Sequence, residues 1–223
     1  MSEGLRLTYL DVPGYAESIR LALCIGDIPF EDERISYEEV QKRRQEGKLP
    51  FGQVPVLHVD GKLFSQSAGI LRWAGRQSGL YDDERALACD EIEEAMNDIR
   101  IALRPQWYGA ALGRDPTSGE PLVELSDSQK EETLELLCSR VLPTRLQMLE
   151  VRLGTKDYFC GDQLSTCDLS WYVMCTGLQE GWYCSKVPPS VLDGCPNLVK
   201  VAKRVAEHPK VLKWNEEHSK KSE

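Results

Sequence analysis

The dipeptide Asp60-Gly61 sets the strongest constraint on the fold. It stands between the β-branched run Val54 to Val59 and the short stretch Lys62 to Phe64. Asp-Gly between two such runs is the preferred turn of a tight hairpin, so the flanking strands pair antiparallel. Upstream, Leu5 to Leu10 and Phe30 to Ile35 read as strands. Between them, from about Gly14 to Gly26, Ile19, Ala22, Leu23 and Gly26 fall at helical spacing. A helix between two strands permits a parallel pair. Tyr37 to Gly47 is charged and helix-like, and another helix runs from about Ser67 to Ser78. The order β-α-β-α-β-β-α predicts an α/β unit with a four-stranded mixed sheet covered by helices.

After Gly79 the strand signals stop. Residues 84–112 carry Ile92, Met96, Ile99 and Leu103 at helical spacing. Glycines and prolines in 113–128 mark a loop, and apolar spacing resumes over 128–153, where Pro143 should kink the run. Ser165 and Asp168 have the spacing of a capping box, and terminal helices divide near Pro209. The reading is two domains, residues 1–80 with the sheet and residues 84–223 all-α.

Charge and composition exclude several classes. The 223 residues carry a net charge of −9 with no basic stripe, a poor match to nucleic acid or an anionic membrane. No apolar run approaches the roughly 18–20 residues needed to span a bilayer. The first residues lack the basic cap and apolar core of a signal peptide. Eight cysteines contain no C-x-x-C pair, and with His58, His208 and His218 they make no zinc spacing, so no metal is expected. They read as reduced thiols of a cytoplasmic protein, mostly small buried apolar residues.

Three places at one end of the sheet carry the chemistry. Pro55 opens a strand; it is either an ordinary strand-entry proline or, if cis, a device that turns the Val54 backbone outward toward an extended ligand. Gln66-Ser67 lies where a strand turns into a helix; Ser67 can cap that helix, and the first-turn N–H groups make a natural carboxylate site. Tyr9 ends the first strand, either as a half-buried strand tyrosine or with its hydroxyl in a cleft, where it can donate to a thiolate. The ligand that fits all three is a short anionic peptide.

The segments RLTYLDVPGYAESIRLAL, LPFGQVPVLHVDGKLFSQSAGILRWAGR and STCDLSWY, in this order, resemble the cytosolic glutathione S-transferases. The tyrosine-type, sigma-like classes are most similar, a group that includes the glutathione-dependent prostaglandin D synthases. The resemblance implies a thioredoxin-like first domain and glutathione as co-substrate. By it, Tyr9 stabilises the glutathione thiolate, Val54 before Pro55 contacts the cysteinyl part, Gln66 and Ser67 hold the γ-glutamyl group, and Gln53 helps with the glycyl end. Asp98 matches an acid that reaches the partner subunit's ligand across a homodimer, although Glu94 and Asp98 also read as a solvated acidic helix face. Arg72, Arg76, Glu91 and Glu94 would be polar contacts of that dimer. Relatives often carry an arginine after the tyrosine and a tryptophan on the second helix; here the first segment is Val12-Pro13-Gly14-Tyr15 and Val40 falls near the second place. The glycyl carboxylate must find another cation among Lys42, Arg43, Arg44 and Lys48, of which Arg44 is preferred.

The implied reaction is conjugation of glutathione to small hydrophobic electrophiles, a detoxification chemistry. Val12, Pro13, Trp107 and Tyr108 are the expected electrophile contacts; the two aromatics read equally well as helix packing. Two alternatives stay open: a glutathione-dependent isomerase or peroxidase, and a structural or docking relative without turnover.

Overall fold

The structure is a computed structural model and describes residues 4–218. Strands β1 (Arg6–Leu10), β2 (Glu31–Ile35), β3 (Val56–Val59) and β4 (Lys62–Ser65) form one sheet in the order β2-β1-β3-β4. β1 runs parallel to β2 and antiparallel to β3, and β3 pairs antiparallel with β4. The hairpin is the one its dipeptide predicts. Asp60 and Gly61 both lie in the left-handed region, at φ 48° and 74°, as a tight turn matched to strand twist requires.

Around the sheet lie α1 (Glu17–Ile25), entered through a 3-10 turn at Gly14–Ala16, α2 (Tyr37–Gln45) and α3 (Ser67–Ser78). The rest is helical: α4 (Ala86–Tyr108), α5 (Asp127–Leu136), α6 (Leu142–Leu153), α7 (Thr166–Glu180), α8 (Pro196–Ala206) and α9 (Pro209–His218). One expectation is corrected. α4 stops at Tyr108, short of 112, because Gly109 turns left-handed at φ 63° and its N–H closes on the Pro105 carbonyl at 3.0 Å. Pro143 sits in a helical run that continues unbroken over 127–153, and Leu137–Val141, just before it, widens into a π-helical turn that accommodates the missing N–H.

One buried apolar cluster runs from Leu7 and Leu57 of the sheet, through Ile19 and Leu23 of α1, to Trp171 of α7 and Val205 of α8. α7 is its axis, packed on α8, α1 and α4. Its start is fixed by Asp168, whose carboxylate accepts from the Ser165 N–H at 2.9 Å, the Ser165 hydroxyl at 2.5 Å and the Phe159 N–H at 2.8 Å. Burial pushes the Asp168 carboxyl up to about 6. α8 is started in the same way by Glu150, which accepts from the N–H groups of Asn197 and Leu198, both at 2.9 Å.

Arg20 of α1 is fully buried. Its Nε donates to Asp32 of β2 at 2.9 Å, and its Nη1 donates to the Val12 carbonyl at 2.9 Å and to Glu17 at 3.0 Å. The second Glu17 oxygen accepts from Trp214 Nε1 of α9 at 2.7 Å. One guanidinium and one carboxylate therefore join the sheet edge, the loop after β1 and the last helix.

A second ionic knot ties α2 to the sheet. Glu33 of β2 accepts from Arg43 at 2.8 and 3.0 Å and from the Thr8 hydroxyl. The Arg43 hydrogen bonds lead in lowering the Glu33 carboxyl from 4.5 to about 2. The native carboxyl binds fewer protons than the unfolded one, so the pair stabilises the fold above about pH 4.5, and that stability is lost as pH falls through about 2. Urea unfolding of Glu33→Gln measured across this window is expected to show a weaker pH dependence than the native chain; an unchanged profile refutes the assignment.

Candidate active site

A cleft of about 800 Å³ opens at the end of the sheet against α4. Tyr9 is the penultimate residue of β1 and is 6% exposed. Its hydroxyl accepts from the Tyr15 backbone N–H at 3.2 Å. Burial holds the phenol well above its ordinary value, while the Tyr15 N–H pulls the other way. Tyr9 therefore keeps its proton at neutral pH and is a donor. The Tyr15 backbone thus stands beside the hydroxyl. The Arg20 guanidinium carbon lies 5.8 Å from the Tyr9 ring centroid.

The Val54–Pro55 bond is cis, and both residues line the cleft with Gln53. Gln66 and Ser67 line it too. Ser67 is not the cap of α3: it is the first helical residue, and Gln66 is the cap, at φ 74° and with no side-chain capping bond. A non-glycine residue held left-handed at a ligand cleft is local backbone strain. It starts α3 so that the unpaired first-turn N–H groups of Ser67 and Ala68 lie at the cleft.

Of the four candidate cations on and after α2, Arg44 alone lines the cleft. Arg43 is held by Glu33 and Glu39, Lys42 pairs with Glu39, and Lys48 pairs with Glu46. Arg44 donates to the Gly52 carbonyl at 2.6 Å and to the Gln41 side chain. Val40 sits buried below it and also lines the cleft.

The helical wall comes from one face of α4. Glu93, Asn97, Arg100, Arg104, Trp107 and Tyr108 line the cleft, at spacings of three and four residues. Trp107 does both things its sequence allowed: it lines the cleft and stacks on Tyr183 with centroids 5.3 Å apart. Burial pushes the Glu93 carboxyl up, and Arg100 lies 3.6 Å from it. The loop after α4 adds Arg114 and Asp115. Arg114 donates to the Gly119 carbonyl at 2.7 Å, and its guanidinium lies 5.0 Å from the Tyr108 ring centroid.

Two expected electrophile contacts do not line the cleft, and Asp98 faces away from it. Val12 and Pro13 are not among its lining; their carbonyls face Arg20 instead. Asp98 lies one residue off the cleft face of α4 and accepts from Arg145 of α6 at 2.6 Å. The expected dimer contacts are also paired within the chain: Arg72 with Asp90, Arg76 with Asp83, and Glu91 with Arg152. Glu94 lines the cleft. Sequence reasoning missed Tyr15, Arg100, Arg104 and Arg114; the four-residue step from 100 to 104 was the available signal for two of them.

Gly14 is the close-approach point of the site. It sits at φ 45°, and an added Cβ would lie 2.6 Å from the Tyr9 hydroxyl oxygen. Gly14→Ala is expected to cost about 1–3 kcal/mol in a urea titration, the usual range for an overpacked site. Gly69→Ala, where an added Cβ meets nothing, is the control and should cost nothing.

The glutathione S-transferase C-terminal domain family matches residues 120–218. Glutathione S-transferase 1 of Ascaris suum is 30% identical over 219 residues, covering 96% of this chain and 97% of that protein. Human hematopoietic prostaglandin D synthase is 28% identical over 211 residues, covering 94% of each. Among solved structures, the monomeric glutathione S-transferase Na-GST-3 of Necator americanus superposes with a TM-score of 0.75 at 26% identity, covering 96% of this chain and 97% of that one. With a thioredoxin-like sheet domain, an all-helical second domain and these relatives along its whole length, the chain belongs to the glutathione S-transferase family.

Proposed function

We propose that this chain is a glutathione transferase in which the Tyr9 hydroxyl holds the glutathione thiolate and α4 presents an electrophile to it. The observation that carries the reading is one cleft wall holding a buried, protonated phenol, the N-terminus of α3 and an arginine. These suit, in order, a thiolate, a γ-glutamyl carboxylate and a glycyl carboxylate. Gln66 and Ser67 receive the γ-glutamyl group, the Val54 backbone the cysteinyl part, and Arg44 with Gln53 the glycyl end. Residues 1–80 form the glutathione domain and residues 84–223 the electrophile domain. Asp98, exposed and paired with Arg145, remains the candidate acid toward the partner subunit's ligand in the dimer inferred below.

The energetics suffice without a metal. A thiol with pKa near 8.5 needs about 2.7 kcal/mol of preferential thiolate stabilisation to ionise two units lower. A charge-assisted hydrogen bond from Tyr9 supplies about 1.5–3 kcal/mol. The thiolate then attacks the electrophilic atom, and holding both reactants in one cleft supplies further acceleration. Trp107 and Tyr108 suit an aromatic or apolar body. Arg100, Arg104 and Arg114 favour an electrophile that also carries negative charge.

The human relative named a prostaglandin D synthase favours one second reading, isomerisation through the same thiolate. Conjugation consumes glutathione one for one with product, and isomerisation returns it, so counting free thiol during turnover separates the two. Titrating the absorbance of bound glutathione thiolate tests the shared step. Tyr9→Phe is expected to raise the bound thiol pKa by about 1–2 units and to slow conjugation of a chlorodinitrobenzene at neutral pH accordingly. An unchanged pKa refutes the role of Tyr9.

We also infer a homodimer in the cytoplasm. Leu63 and Phe64 of β4, Leu87 of α4, and Met148 and Val151 of α6 are exposed apolar side chains that a two-fold partner would cover. No helix among the described residues is long and apolar enough to cross a membrane, and all eight cysteines are free thiols. Sedimentation is expected to give twice the chain mass; a single-chain mass overturns the dimer.

A further inference from the structure

Three cysteines, one of them 71 positions before the next, meet at one point outside the cleft. Cys89 lies in the first turn of α4, Cys160 in the loop before α7, and Cys167 in the first turn of α7. The Cys89 and Cys160 sulfurs are 3.4 Å apart, those of Cys160 and Cys167 are 3.8 Å apart, and all three lie within 4.8 Å of one another. Cys89 and Cys167 are fully buried, and Cys160 is half-buried. None of the three lines the cleft.

From this geometry we propose a metal site: Cys89, Cys160 and Cys167 bind one thiophilic d¹⁰ cation, such as Zn²⁺ or Cd²⁺, through three thiolates. A metal–sulfur bond of about 2.3 Å places coordinated sulfurs about 3.8–4.0 Å apart, so small shifts of side chains complete the set. Soft sulfur donors select this class of ion over Mg²⁺ or Ca²⁺. On binding, each ligating thiol gives its proton to solvent, three protons for one dication, and the site is left with one negative charge. Arg85 faces Cys89 and Cys160, Arg152 faces Cys160, and the N-terminus of α7 adds its partial positive charge at Cys167. Asp168, beside Cys167, opposes them. The ion enters from the Cys160 side, since the other two sulfurs are sealed. Bound there, it would clamp the start of α4 to the start of α7 and stabilise the native chain by mass action.

The full chain is reduced with a phosphine, freed of metal by a chelator, and titrated with Cd²⁺ in the absence of glutathione. Sulfur-to-cadmium charge-transfer absorbance should saturate at one equivalent with the intensity of three thiolates. Cys160→Ser should weaken binding at least tenfold, with an unchanged far-ultraviolet spectrum as the control for folding. In the unsubstituted chain, Zn²⁺ should slow alkylation of Cys160 at least tenfold, read by peptide mass spectrometry, and leave half-buried Cys24, Cys138 and Cys184 unaffected. Absence of one-to-one binding, equal affinity in Cys160→Ser, or no protection of Cys160 overturns the proposal. So does a Cys89–Cys160 disulfide that forms in air with Zn²⁺ present, which would make the cluster an oxidation site instead. None of these readouts depends on transferase activity.

Discussion

The buried charge of Arg20 is the constraint on which the rest of the structure turns. An uncompensated guanidinium in an apolar core is untenable, so its partners must be in place before the core can close. Asp32 comes from β2, the Val12 carbonyl from the loop after β1, and Glu17 from the same helix. Together they hold the segment that carries Gly14 and Tyr15, which in turn hold the Tyr9 hydroxyl. Through Glu17 the arrangement extends to Trp214, so the last helix of the chain braces the loop beside the proposed thiolate. Asp32 also accepts from Arg34, which pairs with Asp11 at the other end of the same loop.

The cleft divides its labour between backbone and side chain. On the sheet side, the groups that face the ligand space include helix N–H donors and a cis peptide, both set by chain geometry. On the helical side, the contacts are aromatic rings and arginines at helical intervals along α4. Backbone groups suit one invariant ligand. Side chains on a single helix face can change one by one, which suits a partner that differs between relatives.

The mixed sheet was legible because local signals agreed: one turn dipeptide forces an antiparallel pair, and the helix between β1 and β2 permits a parallel one. Tyr9, Gln66 and Ser67 stood out because each sits where a strand ends. The spacing of Glu94 and Asp98 marks a shared helix face, but the ion pair of Asp98 with Arg145 belongs to tertiary packing that spacing does not record. Val12 and Pro13 were placed by neighbourhood in the chain, but a buried arginine claims their carbonyls. The three cysteines were read as separate small core residues, since 71 positions separate Cys89 from Cys160 and no short spacing announces the group. The loop after α4 carried only glycine and proline punctuation, which says where chain turns and not what it turns onto.

That loop has little freedom where it meets α2. An added methyl at Gly52 would fall on the Pro116 carbonyl, and one at Gly119 would fall on the Arg44 guanidinium; both glycines are left-handed, at φ 65° and 78°. Two main chains therefore touch with nothing between them. The spacing of the two segments at Gly52 and Pro116, beside the cleft, is a backbone dimension, like the gauge of a track. Trimming side chains cannot widen it; only displacing one of the two segments bodily can.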